Sequence, residues 1–145
     1  MALTLTLGAA QGASGTATAA PKATQVVLKL KSSGLPIGKY KTYSASTDPN
    51  HLLGRQGQYT GKVNFRDARL KDGLSTFDVS AGGSIEVFKS RSDALRRFKY
   101  VKAVTQSSSF LVEYDYLEGL VFLRLSSTLT PAQAKKYEAA LRRLF

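Results

Sequence analysis

The stretch from Val112 to Leu125, VEYDYLEGLVFLRL, constrains the fold more than any other part of the sequence. Two runs of alternating apolar and polar residues flank Glu118-Gly119, and a two-residue loop with glycine favours a tight β-hairpin. Counting back from that loop predicts the pairs of one buried face: Tyr116 with Val121, Tyr114 with Leu123 and Val112 with Leu125. A tight hairpin requires antiparallel pairing, which argues against a doubly wound parallel sheet.

The other face of this hairpin carries charged side chains. In the same register Glu113 falls opposite Arg124, and Asp115 falls opposite Phe122. A Glu across from an Arg is usually a structural ion pair. The alternative is that Glu113 and Asp115 form a carboxylate pair for acid/base catalysis, although no histidine is near them in the sequence.

Composition excludes several classes of site. The chain has 145 residues, enough for one domain with a core, and it has no cysteine and a single histidine, His51. Disulfides, thiolate metal sites and cysteine nucleophiles are therefore excluded, as are most Ser-His and multi-histidine metal arrangements. Gly82-Gly83 precedes a predicted strand, whereas a nucleotide-binding loop follows one, so we predict no cofactor and no metal. The net charge of +11 favours an anionic partner or surface.

The N-terminal segment differs from the rest of the chain because residues 1–21 carry no charge. An apolar run over 2–10, followed by the small residues Ala17-Thr18-Ala19, is typical of the second half of a secretory signal peptide. The basic start of such a signal is missing, so a disordered cytosolic tail is the alternative. We predict a signal-like or disordered segment over 1–22, a single domain over 23–145, and a secreted or cell-envelope location with a cytoplasmic one as the alternative.

Alternation and capping residues predict the remaining elements. These are helices from Ser90 and from Thr130-Pro131, strands over 39–46, 59–65 and 84–88, and one helical turn from Asp48 to Gly54. The segment over 24–31 alternates like a strand but ends in Ser32-Ser33-Gly34, which is typical of a helix end, and we favour a helix there. The order is then α-β-β-β-α-β-β-α. It predicts an α+β fold, an antiparallel sheet of hairpins with helices packed on one side.

The helix after Ser90 is strongly basic. Its apolar stripe at helical spacing is Ala94, Leu95, Phe98, Val101 and Val104. The cations Arg96, Arg97, Lys99 and Lys102 lie off that stripe, so we expect them to share a solvent-facing side. The candidate targets are an anionic polymer such as teichoic acid, an anionic membrane surface or nucleic acid. Nucleic acid is less favoured, because Phe98 lies on the buried stripe and is not available to stack on bases.

Three motifs carry a family resemblance. They are D-P-N-x-L-L-G-R-x-x-x-Y-T-x-K-V over 48–63, G-G-S-I-E-V-F over 82–88, and the hairpin followed by L-T-P-x-Q-A-x-x-Y-E-x-A-L. In these motifs the chain resembles small exported proteins and lipoproteins of Gram-positive bacteria, especially actinobacteria, over roughly 23–144. The resemblance implies an exported location, a helix over 24–33 and this order of elements, but no chemistry. The chain lacks the full signal or lipobox of that group, which leaves the anchoring mode open.

Three classes of function remain. We favour a non-catalytic exported binding or cell-envelope-associated module with a basic surface. The first alternative is a nucleic-acid or other polyanion binder that uses the basic helix over 91–102. The second is a hydrolase-type enzyme whose groups would come from Glu86, Glu113, Asp115, His51 and Arg55. Arg55 and Tyr59, in the loop before the second strand, are further candidates for a specific contact, unless Arg55 only holds loop carbonyls. The sequence leaves the ligand and the oligomeric state open.

Overall fold

An antiparallel sheet organises the part of the chain that the computed structural model describes, residues 19–71 and 77–145. Its elements in order are α1 (Ala23–Ser32), β1 (Ile37–Thr42), β2 (Gly61–Asp67), a short 3-10 helix (Val79–Ala81), β3 (Gly82–Val87), α2 (Arg91–Ser107), β4 (Glu113–Glu118), β5 (Val121–Ser126) and α3 (Pro131–Leu144). The predicted α+β class and element order are confirmed. The predicted signal-like segment lies outside the described residues, except for 19–22.

The strand order places one helix across the sheet. The strands are arranged β1-β2-β3-β5-β4, and each neighbouring pair is antiparallel. Because β5 lies between β3 and β4, those two strands run in the same direction and their connection must cross a face of the sheet. The connection contains α2. This crossover places α2 over β5 and the edge strand β4.

The hairpin of β4 and β5 forms, but its turn and register differ from the prediction. Glu118 pairs with Val121, so Gly119 and Leu120 are the turn residues. Gly119 has a φ of 51°, which a primed turn requires at its first central position and which glycine adopts at little cost. The register is therefore shifted by two residues, and Tyr116 lies opposite Leu123. A shift of two leaves the side chains within the two strands on their predicted faces. Val112 precedes β4 and is 55% exposed, so its predicted burial opposite Leu125 is wrong.

The face that α1 and α3 cover is apolar, and we call it the apolar face. Its buried residues on β2, β3 and β5 are Val63, Phe65, Ile85, Val87, Val121, Leu123 and Leu125. Tyr114 and Tyr116 of β4 pack against them and are partly buried. Helix α3 has the predicted capping box, in which Thr130 and Gln133 bond reciprocally, with Pro131 at the first position. Its Tyr137 stacks on Phe65 at 5.7 Å between ring centroids. Burial of these side chains is the main source of stability for the fold.

The opposite face carries polar strand residues, and we call it the polar face. It presents Lys62, Asn64, Ser84, Glu86 and Arg124, with Phe122 among them. Helix α2 packs here through Ala94, Val101 and Phe98, and the ring of Phe98 meets Phe122 edge to face at 5.5 Å. The predicted placement of the helices on one side thus holds for α1 and α3 and is wrong for α2. Alternating polar residues usually indicate a solvated face, but the crossover covers this one.

Candidate ligand-binding cavity

A cavity of about 660 Å³ lies between the polar face and α2. Its floor contains Lys62, Asn64 and Ser84 from β2 and β3, together with Arg124 from β5. Its apolar wall is formed by Tyr100, Val101 and Val104 of α2, by Phe77, and by Phe110, Leu111 and Val112 in the segment that leads into β4. A volume of this size is typical of sites that hold a small organic molecule.

One end of the floor is fixed by a buried carboxylate. Asp48 accepts hydrogen bonds from the backbone amides of Asn50, Leu52 and Leu53, from the Tyr59 hydroxyl at 2.6 Å and from the Lys62 ammonium at 3.0 Å. Burial alone would raise the pKa of Asp48, but these donors outweigh it and lower the pKa well below its ordinary value. Asp48 therefore acts as the predicted cap, although residues 48–54 form successive turns instead of a helical turn.

The centre of the floor is a chain of ion pairs. Arg97 of α2 reaches down to Glu86, with its Nε 3.0 Å from Oε2. Arg124 lies 2.7 Å from Glu113 through its Nε, and its Nη1 lies 3.6 Å from Glu86. Glu86 is completely buried, so these guanidinium groups supply the charge that makes its burial tolerable. The predicted contact between Glu113 and Arg124 forms, although Ser126 lies directly opposite Glu113.

Two neutral polar groups on the floor lack a hydrogen-bond partner among the described residues. Asn64 and Ser84 face each other on β2 and β3 and are 4% and 1% exposed. The Asn64 amide nitrogen donates to the Phe77 carbonyl at 2.5 Å, whereas its Oδ1 has no donor. The Ser84 hydroxyl has no partner either. Buried polar atoms are nearly always paired in folded proteins, so these two atoms mark the floor as a place for a ligand or water.

The mouth of the cavity is apolar. Tyr100, Phe110, Leu111 and Val112, which we call the apolar rim, are exposed by 61%, 96%, 51% and 55%, and all four line the cavity. Scattered exposed apolar residues are ordinary, but a group of four around one opening is characteristic of interaction sites. The cavity thus combines a polar floor with an apolar mouth.

Comparison of the chain with protein-family models, with curated proteins and with solved structures finds no match. The family resemblance of the sequence motifs stays a prediction. In the described parts of the chain no group of His, Cys, Asp or Glu could hold a metal ion. Over the same residues, no helix combines the length and the apolarity needed to span a bilayer.

The two predicted loop contacts lie in different environments. Arg55 is exposed, in the turns that follow Leu52. Tyr59 is fully buried, and its hydroxyl donates to Asp48. Burial and the adjacent carboxylate raise the pKa of Tyr59 above its ordinary value. Tyr59 is therefore not available at the surface for the specific contact predicted for it, because its hydroxyl is bonded to Asp48.

The four predicted cations of α2 do not share a solvent-facing side. Arg97 turns into the protein toward Glu86, and its side chain is 10% exposed. Arg96 remains at the surface, where it bonds to Asp93 and to the Gly57 carbonyl. The Lys102 ammonium lies 5.4 Å from the Phe98 ring centre, and Lys99 is exposed. The expected common side is wrong for Arg97, since the buried Glu86 draws its guanidinium inward.

The carboxylates considered for catalysis are mostly committed to structure. Glu86 and Glu113 are held by arginines, and His51 is exposed in a turn with a φ of 53°. Burial, followed by the neighbouring Glu113 carboxylate, raises the pKa of Asp115 to about 7. Asp115 therefore gains or loses its proton near neutral pH, but it is not among the residues that line the cavity. Glu86, Glu113 and Asp115 lie close together around Arg124, but Glu113 alone of the three lines the cavity.

Sequence reasoning missed the residues that define the floor. Lys62, Asn64 and Ser84 occur at alternate positions beside apolar residues, a pattern that ordinarily indicates a solvent-facing side. A signal that could have indicated their burial is the pair of opposite charges on neighbouring strands, Lys62 on β2 and Glu86 on β3, which lie directly opposite each other. The approach of α2 decides whether such residues are solvated or buried, and it depends on the strand order.

Proposed function

We propose that this protein is a non-catalytic binding module that holds a small, partly apolar molecule in the cavity under α2. The observation that carries the proposal is the apolar rim around an opening with a polar floor. Exposed Phe, Leu and Val side chains are unfavourable in water unless a ligand or partner covers them during function. The arrangement suits a molecule whose apolar part contacts the rim while its polar end points inward.

The ion pairs of the floor support a binding role over a catalytic one. A catalytic acid, base or nucleophile needs a free position next to the substrate. Arg97, Arg124 and Glu113 line the cavity and are already bonded to one another or to Glu86. They fix the shape of the floor, as a preformed binding site requires.

A polyanion-binding role for α2 has less support than the cavity. Arg97 is engaged with Glu86 and Arg96 with Asp93, which leaves Lys99 as its most open cation. Exposed ion pairs are weak and do not prevent binding, so the net charge of +11 still favours anionic surroundings. A secreted or cell-envelope location remains our proposal for where the module acts.

The proposal is tested by titration with N-phenyl-1-naphthylamine, an uncharged aromatic probe whose fluorescence rises in apolar sites. We expect saturable binding with one site per chain. Val104→Trp should weaken it at least tenfold, because Val104 lines the cavity and the larger indole would obstruct the apolar wall where the probe binds. The matched control is Ala103→Trp, at an exposed position of α2 that does not line the cavity, and it should bind as the wild type does.

The two Trp variants also report on their own folding. The chain has no tryptophan, so the emission of each introduced indole shows whether it is buried or solvated. A buried indole at position 104, native melting and unchanged probe binding would contradict the proposal. Failure of the wild-type protein to bind the probe saturably would contradict it as well.

A further inference from the structure

The charged side chains that line the cavity all have partners. Lys62 is bonded to Asp48, Arg97 to Glu86 and Arg124 to Glu113. Asp78, at the exposed edge, accepts a hydrogen bond from Ser80. A charged ligand group brought to this floor would lose its hydration without gaining an unpaired counter-charge, which is strongly unfavourable.

The buried hydrogen-bonding atoms of the floor that have no partner among the described residues are neutral. The Phe77 carbonyl can only accept, so the Asn64 amide must turn its nitrogen toward it and leave Oδ1 as an acceptor without a donor. The Ser84 hydroxyl can donate and accept. The two residues are direct partners on adjacent strands, where side chains start roughly 5 Å apart. One small polar group can therefore reach both.

We infer that the ligand of this cavity is an uncharged amphiphile whose head is an amide or an alcohol. The head donates a hydrogen bond to Asn64 Oδ1 and exchanges a second one with Ser84 Oγ. The apolar part runs along Val101 and Val104 to the apolar rim. This inference rests on the proposed function and adds the chemistry of the ligand to it.

Three probes with the same ten-carbon chain separate the head groups: decanamide, decanoate and decyltrimethylammonium, each below its micelle concentration. Each is used to displace N-phenyl-1-naphthylamine from the wild-type protein at pH 7. We expect decanamide to compete at a concentration at least tenfold lower than either ion, because only its head can be buried without an unpaired charge. Equal competition by all three, or stronger competition by an ion, would overturn the inference and leave the proposed function standing.

A single substitution locates the head group. Ser84→Ala removes a hydroxyl that bonds to nothing in the described protein, so the fold should keep its melting midpoint. The affinity for decanamide should fall roughly five- to tenfold, the usual effect of one lost hydrogen bond, while the affinity for decanoate stays unchanged. Ser127→Ala is the matched control, since Ser127 lines the cavity from an exposed position.

The outcomes distinguish the two proposals. Unchanged decanamide affinity in Ser84→Ala, or an equal loss in Ser127→Ala, would overturn the inferred head-group site while naphthylamine binding persists. Asn64→Leu provides a second check, because it removes the Oδ1 acceptor. If the variant shows a cooperative melting transition, its affinity for decanamide should fall and its affinity for naphthylamine should stay unchanged. Absence of saturable naphthylamine binding by the wild type would remove both the proposed function and this inference.

Discussion

The two faces of the sheet come from the same strands, yet they are stabilised in different ways. On the apolar face, Ile85 and Leu123 pack under α1 and α3 with no polar atom to satisfy. On the polar face, the adjacent residues Ser84 and Arg124 lie under α2 beside a cavity. A shift of one residue along a strand thus separates a close-packed core from a polar interior.

This contrast shows how one sheet provides both stability and a site. Close packing leaves no room for a ligand, and an apolar core has no groups that recognise one. The polar face instead has room for a cavity, and Arg97, paired with Glu86, lines it between α2 and the strands. We interpret the apolar face as the scaffold and the polar face as the functional side.

The largest expected effect tests whether the polar face is also structurally required. Asp48→Asn keeps the shape of the side chain but leaves the Lys62 ammonium, which is 4% exposed, without its counter-charge. We expect a loss of about 3 to 5 kcal/mol in the free energy of unfolding, measured by urea denaturation. Glu138→Gln, which breaks an α3 surface pair with Arg142, should change it by less than about 0.5 kcal/mol. Similar small losses in both variants would mean that the Asp48 network contributes little to stability.

The next-largest expected effect is the loss of stability on truncating neighbouring residues of β5, one on each face of the sheet. Leu123→Ala on the apolar face should cost about 2 to 5 kcal/mol, as a truncation in a close-packed core does. Phe122→Ala should cost a similar amount, because Phe122 is also fully buried and meets Phe98 edge to face. From the sequence alone we expect a distinctly smaller loss for Phe122. Denaturation of the two variants decides between these expectations, and a small Phe122 loss would mean that α2 packs only loosely.

Much of the fold could be predicted because its signals are local. The capping box of Thr130 and Gln133 and the stripe around Tyr137 determine α3 from neighbouring residues alone. The hairpin was also predicted, but its register depends on which turn position takes the left-handed conformation. Gly119 is the residue that tolerates it, which moves the turn by one residue and the pairing by two.

The site could not be predicted in the same way, because it depends on contacts between distant segments. Asn64 is opposite Ser84 only through the pairing of β2 with β3, and α2 covers both only through the crossover. The sequence predicts Tyr59 as a contact residue in a loop and Arg97 as a solvent-facing cation on a basic helix. Their burial follows from Asp48 and Glu86, which are 11 residues away from them in each case. Periodicity carries no information on such pairs.

The smallest expected effect concerns Asp115, the carboxylate of the polar face that lies opposite Arg124 and whose Oδ1 has no partner in the described protein. Its pKa is about 7 in the folded state, because of burial and of Glu113, against about 3.9 in an unfolded chain. The folded state therefore binds more protons between these values, and the free energy of unfolding falls as pH rises through this window. Asp48 and Asp67 have lowered pKa values, so their stabilising contributions are lost only at more acidic pH.

Asp115→Asn should remove this pH dependence. The neutral amide carries no buried charge at any pH. The free energy of unfolding of the variant should therefore rise relative to that of the wild type between pH 5 and pH 8, by about 1 to 2 kcal/mol once solvent screening is allowed for. Urea denaturation at each pH measures the difference. Glu118→Gln, on the same strand but in an exposed pair with Arg142, should keep the wild-type slope. If the free energies of unfolding of Asp115→Asn and the wild type change in parallel with pH, Asp115 is ionised in the folded state. Arg124 then compensates the buried charge of Asp115, and the polar face is as stable around this residue as the close-packed apolar face.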